Sequence, residues 1–142
     1  ICEICGKNKI NFTPTIMTEN EISYKIRGAI YNVYNELGVG LLESVYTSAL
    51  HTELLSMGLY VEKEVYLPVY YKDTKLDIGF RLDLLVEKKV IIEVKSVEEV
   101  SKLHHKQLLN YLKLTDLKLG ILINFNECDI NEGIFRKINS HR

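Results

Sequence analysis

Between Thr18 and Leu37, apolar residues recur at three- and four-residue steps: Ile22, Ile26, Ala29, Ile30, Val33 and Leu37. That spacing predicts one face of an amphipathic helix. Thr18-Glu19-Asn20-Glu21 reads as a capping box at its start, and Gly38 as its C-terminal cap. A Gly38-Val39-Gly40 turn leads to a second helix, expected from about Leu41 to Met57 and ended by Gly58. Leu42, Val45, Ala49, Leu50 and Leu54 are its expected inward residues. The period then shortens. Val65–Tyr71 reads as a strand, and Pro68 argues for a sheet edge because proline cannot donate to a ladder. Lys72-Asp73-Thr74-Lys75 predicts a polar turn, Leu76–Val86 a second strand, Glu87-Lys88-Lys89 a turn, and Val90–Lys95 a third strand. The three are expected to form an antiparallel meander. Ser96-Val97-Glu98-Glu99, a second capping box, predicts a helix that starts directly after Lys95 and runs to about Leu114. Lys118–Phe125 reads as a buried strand and Gly133–Asn139 as one more. The predicted order is helix, helix, three strands, helix, strand, with no repeat, low-complexity tract or internal linker.

At 142 residues the chain is long enough for one domain with its own core. Its 18 basic and 19 acidic side chains nearly cancel, so any case for nucleic-acid binding rests on local clustering. No apolar run approaches the roughly 20 residues of a membrane span, and no charged-then-apolar signal opens the chain. The default expectation is a soluble cytoplasmic protein with no membrane partner. The three cysteines make no disulfide framework. Cys2-Glu3-Ile4-Cys5-Gly6-Lys7 resembles half a zinc knuckle, but a structural zinc site needs four ligands, and only Cys128 and the histidines remain. A knuckle completed between chains is the option left open. Residues 1–16, ahead of Met17, read as a poorly ordered leader, and 17–142 as the folded domain.

The chemistry concentrates in two apolar runs. Asp83 lies inside one, and Ile92-Glu93-Val94-Lys95 inside the next. Strand residues two apart share a face, so Glu93 and Lys95 project together. If the strand of Asp83 pairs beside them, two carboxylates and an ammonium converge. Two carboxylates suit Mg²⁺, and a lysine can offset charge developing on a phosphate or an attacking water. The competing reading is a same-face surface pair worth under about 1 kcal/mol. The β-branched neighbours Ile91, Ile92 and Val94 weigh against it. Asp83 taken alone is as readily a surface acid near a turn. Glu43, at a helix start, is an acid that the helix dipole favours whether or not it binds anything. Gln107 and Tyr111 are four apart on one helix face, and Glu43 and Tyr46 three apart. Tyr46 reads as structural. His104 and His105, adjacent on a helix, cannot both face one centre, so a solvated or phosphate-contacting role is expected. Lys102, Lys106 and Lys113 make that helix locally basic, and Lys72, Lys75, Lys88 and Lys89 load the turns. Phosphate contacts need such lysines, but a solvated face uses them equally.

Gly40-Leu41-Leu42-Glu43-Ser44-Val45-Tyr46 spells G-x-x-E-x-x-Y. With Asp83, the Glu93-Val94-Lys95 motif, Gln107…Tyr111 and the closing run Leu119–Phe125, the sequence from Glu19 to Ser140 resembles the GxxExxY family. That is a bacterial and archaeal group within the PD-(D/E)XK nuclease-like superfamily. The resemblance implies an α/β (α+β) fold with a restriction-endonuclease-like αβββαβ core, a mixed sheet flanked by helices, and one divalent-metal site. By position, Asp83 and Glu93 would be metal ligands, helped by the carbonyl of Val94, with Glu43 an auxiliary acid. Lys95 would orient or activate the attacking water. Gln107 and Tyr111 match a Q-x-x-x-Y helix motif and, with His104 and Lys102, are the expected substrate contacts. Asp83 follows Leu82 rather than the proline of the superfamily's name. The implied function is a Mg²⁺-dependent nuclease, with Mn²⁺ as a substitute, acting on DNA in preference to RNA. No organic cofactor is implied, and small nucleases of this fold often work as homodimers. The alternative is a non-catalytic module of the same fold that binds nucleic acid or a protein partner.

Overall fold

Helix α1 (Glu19–Leu37) starts where the first capping box places it. The Thr18 hydroxyl accepts from the Glu21 N–H, and the Glu21 carboxylate accepts from the Thr18 N–H at 2.8 Å. The structure, a computed structural model, describes residues 16–140. Apart from Ile16, the expected leader with Cys2 and Cys5 lies outside the described residues. The stripe Ile22, Ile26, Ala29, Ile30 and Val33 is buried, as the periodicity requires.

Helix α2 (Glu43–Ser56) turns a different face inward from the one expected. Tyr46, Thr47, Leu50 and Leu54 are buried, whereas Leu42 is 72% exposed and Val45 faces solvent. Tyr46 takes the core position at the start of the helix: its ring stacks on Phe125 with centroids 4.5 Å apart, and Leu50 and Leu54 continue its stripe at four-residue steps.

The main sheet has strands β1 (Val61–Leu67), β4 (Phe80–Val86), β5 (Val90–Lys95), β6 (Leu119–Asn124) and β7 (Ile134–Ile138), side by side in that order. β1, β4 and β5 form the expected antiparallel meander; β6 runs parallel to β5 and β7 antiparallel to β6. β1 is an edge, as Pro68 implies, but the expected single strand is interrupted there. Beyond Pro68 the chain makes a separate small hairpin of β2 (Tyr70–Tyr71) and β3 (Thr74–Lys75), with Lys72 at a positive φ of 55° in its turn. Residues 76–79 are not strand, and β4 begins at Phe80.

Helix α3 (Lys102–Thr115) carries the parallel connection from β5 to β6. It does not start at the Ser96 capping box. Tertiary hydrogen bonds claim that segment first. The Ser96 N–H donates to Glu43 Oε2 and its hydroxyl to the Leu41 carbonyl, while Val97 exchanges two hydrogen bonds with the Asn124 amide. The cap is Ser101 instead, and His104 fills the role usually taken by glutamate: its Nδ1 accepts from the Ser101 N–H at 3.1 Å.

α1 and α2 cover one face of the sheet over the larger core cluster, and α3 covers the other over Leu82, Ile91, Leu108, Leu112 and Leu122. α3 lies so close to β6 that a Cβ on Gly120 would meet Leu108 Cδ1 at 2.8 Å. The architecture is therefore α+β, a five-stranded mixed sheet flanked by three helices, the restriction-endonuclease-like arrangement. Among the described residues, no helix is long and apolar enough to cross a membrane.

Candidate active site

The site forms where the β4–β5 ladder stops. Val86, Leu85 and Leu84 pair with Val90, Ile91 and Ile92, and the pairing ends before Asp83 and Glu93. Strand residues two apart normally share a face. Yet Leu84 packs in the cluster under α1 and α2, while Leu82 packs in the cluster under α3. The strand thus twists at Asp83. On β1, Glu64 sits opposite this point at φ 57° and drops out of a register that Lys63 and Val65 keep.

The twist removes backbone partners, and side chains replace them. Asp83 Oδ2 accepts from the Val94 N–H at 2.9 Å, and Glu93 Oε2 accepts from the Asp83 N–H at 3.2 Å. Each carboxylate is anchored on the other residue's strand, which holds the two as neighbours. Glu93 is only 5% exposed, and the Asp83 side chain 14%. Burial pushes the Glu93 carboxyl up to about 8, and the charge of Asp83 pushes the same way; the Asp83 N–H, Lys95 and Arg81 oppose it. Asp83 is raised as well, by burial first and with a contribution from Glu43, against the Val94 N–H, Arg81 and Lys95. Two buried carboxylates of like charge disfavour joint ionisation unless a cation joins them.

Three further expected residues act electrostatically on the pair or feel its charge, and a fourth, Gln107, does not. Lys95 is half-buried at the end of β5, on the Glu93 face, and its charge favours ionisation of both acids. Tyr111 approaches from α3. Its ring stacks on Phe80 at 4.7 Å, and its hydroxyl pKa is raised by burial, then by the charges of Glu93 and Asp83. Glu43 enters from the first turn of α2, exposed and tied to the Ser96 N–H at 3.3 Å. The G-x-x-E-x-x-Y motif explains its placement: Gly40 takes a φ of 96°, and the Tyr46 hydroxyl donates to the Gly38 carbonyl and accepts from the Leu41 N–H. Glycine permits the turn, and tyrosine pins the loop that presents Glu43. Gln107 is exposed one turn before Tyr111. No contact joins Gln107, Lys102 or His104 to the carboxylate pair among the described residues. His105 packs edge-on against Phe135 at 4.8 Å.

Three residues that sequence reasoning passed over belong here. Arg81 Nη2 lies 3.5 Å from Asp83 Oδ1, and Nη1 lies 3.9 Å from Glu64 Oε2. The same two-residue spacing that paired Glu93 with Lys95 would have found it. Ser96 and the fully buried Asn124 hold the segment after β5 in place. Their partners are remote in sequence, so no local pattern marks them.

A cleft of about 510 Å³ opens at Asp83, bordered by Leu42, Glu43, Glu64, Arg81, Asp83 and Ser96, with the buried Glu93 behind Asp83 rather than on its wall. A larger hollow of about 790 Å³ runs along α1 beside Tyr24 and Tyr31, but it lacks the convergent buried acids that mark a site. Among the described residues, no three His, Cys, Asp or Glu side chains are grouped closely enough to cage a metal ion. The buried acids that the structure brings together are two, Asp83 and Glu93. Two carboxylates fit a hard divalent cation that keeps several waters.

A family model of the PD-(D/E)XK nuclease superfamily matches residues 20–137. The chain belongs to this superfamily. No curated protein and no solved structure gives a match. Membership suggests nuclease activity on nucleic acid, and nucleases of this superfamily typically use divalent metal ions.

Proposed function

We propose that this protein is a metal-dependent nuclease of the GxxExxY kind, hydrolysing phosphodiester bonds in DNA in preference to RNA. The observation that carries the reading is the buried Asp83–Glu93 pair, cross-anchored through backbone amides at a break in the sheet. Asp83 and Glu93 would hold Mg²⁺ or Mn²⁺, with the Val94 carbonyl beside them and Glu43 as an auxiliary acid. Such an ion, when bound, supplies Lewis acidity that offsets phosphate charge and lowers the pKa of a water. Lys95 orients the attacking water and offsets charge on the phosphate as the bond order changes. Tyr111 donates a hydrogen bond to a phosphate oxygen; its raised pKa keeps the hydroxyl protonated for this. Gln107 and Lys102, exposed on α3, and His104, whose Nε2 is not used in the cap, serve as outer contacts to the sugar-phosphate backbone.

The test is cleavage of DNA and RNA with Mg²⁺ or Mn²⁺. Glu93→Gln and Lys95→Ala should each lower the rate by at least about 100-fold, the scale set by losing one preorganised electrostatic group. Undiminished cleavage by either variant overturns the assignment. A second reading is a nuclease-fold module that binds nucleic acid or a protein partner without cutting; the Arg81 guanidinium on Asp83 favours it, since that pair already supplies a cation to the acid. Calorimetry separates the two. Mg²⁺ or Mn²⁺ binding that disappears in Asp83→Asn supports the enzyme. Retained oligonucleotide binding with no metal binding supports the module.

A further inference from the structure

A second groove adjoins the catalytic cleft at Arg81. It measures about 550 Å³, runs between the end of β1 and residues 76–80, and is bordered by Tyr66, Lys75, Asp77, Ile78, Phe80 and Arg81. Arg81 borders the catalytic cleft as well, so it stands at the junction of the two. Its direct cross-strand partner is Tyr66. The guanidinium is held above its ordinary pKa first by a side-chain hydrogen bond with Tyr66, with burial opposing and Asp83 and Glu64 adding.

The side chains around this groove are unusual for a monomer surface. Tyr66 is 73% exposed and Ile78 78%, and Tyr70 and Tyr71 on the small hairpin are also exposed. Lys72 Nζ lies 5.5 Å from the Tyr71 ring centroid. An apolar, aromatic corner of this kind marks an interaction surface. Aromatic faces interleaved with cations are what single-stranded nucleic acid uses, because every base has a π-face and every nucleotide a phosphate. The cations at the groove are Lys75 and Arg81, facing Asp77, and a phosphate bound there would compete with Glu64 for the Arg81 guanidinium. A duplex would hide its base faces from tyrosine.

We infer that Tyr66 and Arg81 form a nucleotide subsite beside the catalytic cleft, with Arg81 holding a phosphate and Tyr66 stacking an unpaired base. The substrate class is then single-stranded nucleic acid or an unpaired end. This deepens the nuclease reading and rests on it. The Arg81 contacts to Asp83 at 3.5 Å and Glu64 at 3.9 Å are long, so the guanidinium can exchange one of them for a phosphate oxygen.

The test is fluorescence anisotropy of a fluorescein-labelled oligothymidylate of about 12 nucleotides, with Ca²⁺ replacing Mg²⁺, on the full chain. Tyr66→Ala should weaken binding about tenfold, while Tyr66→Phe, which keeps the ring, should stay within about twofold. Arg81→Gln should weaken binding and reduce the salt slope by about 0.7, the increment for one phosphate on a single strand. Binding to a duplex of the same length should not depend on Tyr66. Tyr66 is exposed, so its variants fold normally, and melting curves check that. Wild-type binding by both Tyr66→Ala and Arg81→Gln overturns the subsite. So does self-association in sedimentation that Tyr66→Ala abolishes, which would assign the corner to a second copy. Cleavage that needs Glu93 but ignores Tyr66 and Arg81 refutes the subsite alone. Tyr66-dependent binding without cleavage under any divalent ion refutes the nuclease reading alone.

Discussion

Glu93 concentrates the electrostatic tension of this molecule in one side chain. Its folded pKa of about 8 stands far above the 4.5 of an ordinary glutamate. The folded state therefore binds a proton more tightly than the unfolded state does. The sign follows from proton linkage: the contribution is complete below about pH 4.5 and is lost as pH rises through about 8. Metal-free protein should thus melt at progressively lower temperature across that interval, with on the order of a few kcal/mol at stake. Glu93→Gln should flatten that part of the profile, because glutamine needs no proton. Profiles of equal slope for the wild type and Glu93→Gln would show that burial does not strain this carboxyl. Metal affinity should run the other way and rise with pH, since an ion must displace the proton. Comparing calorimetric titrations at about pH 6 and about pH 8 measures this.

At the scale of elements, the loop before α2 and the contact between α3 and β6 set where the side chains point. Tyr46→Phe keeps the stack on Phe125 but removes the hydroxyl that joins the Gly38 carbonyl to the Leu41 N–H. It should cost about 1–2 kcal/mol in chemical denaturation. It should also lower cleavage, because Glu43 loses its fixed approach. A variant with reduced stability and full activity would confine Tyr46 to packing. Gly120→Ala probes the other face. Its methyl would meet Leu108 at 2.8 Å and push α3 outward, costing about 1–3 kcal/mol. The displaced helix carries Tyr111, so the same variant should lose activity beyond its loss of stability. The helix starts also show why local signals compete. Two capping boxes precede α3 in sequence, Ser96 to Glu99 and Ser101 to His104. The second one starts the helix, because Ser96 and Val97 already have partners on α2 and β6.

For the molecule as a whole, an ion that binds only the folded state would stabilise it. An ion at about 100 times its Kd should stabilise the domain by about 2.7 kcal/mol, or about 10 °C in Tm. Asp83→Asn should abolish that shift while leaving the metal-free fold intact. Equal shifts in both proteins would place the ion elsewhere. The sheet order explains why one short chain can build such a site. β4 and β5 are neighbours in sequence and in space, so two acids ten residues apart meet across one hairpin. The parallel β5–β6 pair then needs the crossover helix, and that helix brings Tyr111 over the same acids.

The order of elements, the edge at Pro68, the buried stripe of α1 and the pairing of Asp83 with Glu93 were all legible in the sequence. They depend on local period, on proline's missing donor and on a hairpin, and such signals act within a few residues. Other features arose only on folding. Tyr46 fills the core against Phe125, while Leu42, at the cap of α2, faces solvent. Asn124 and Glu43 took the Ser96–Val97 segment away from α3. The twist at Asp83 sent Leu82 and Leu84 to opposite faces and brought Arg81 to the cleft. Each of these depends on partners far apart in the chain, competing for the same hydrogen bonds or the same core volume. The sequence by itself determined that Asp83 and Glu93 come together across one hairpin. Tertiary structure decided how deeply they are buried, and burial is what makes the carboxylate pair a demanding, cation-seeking site.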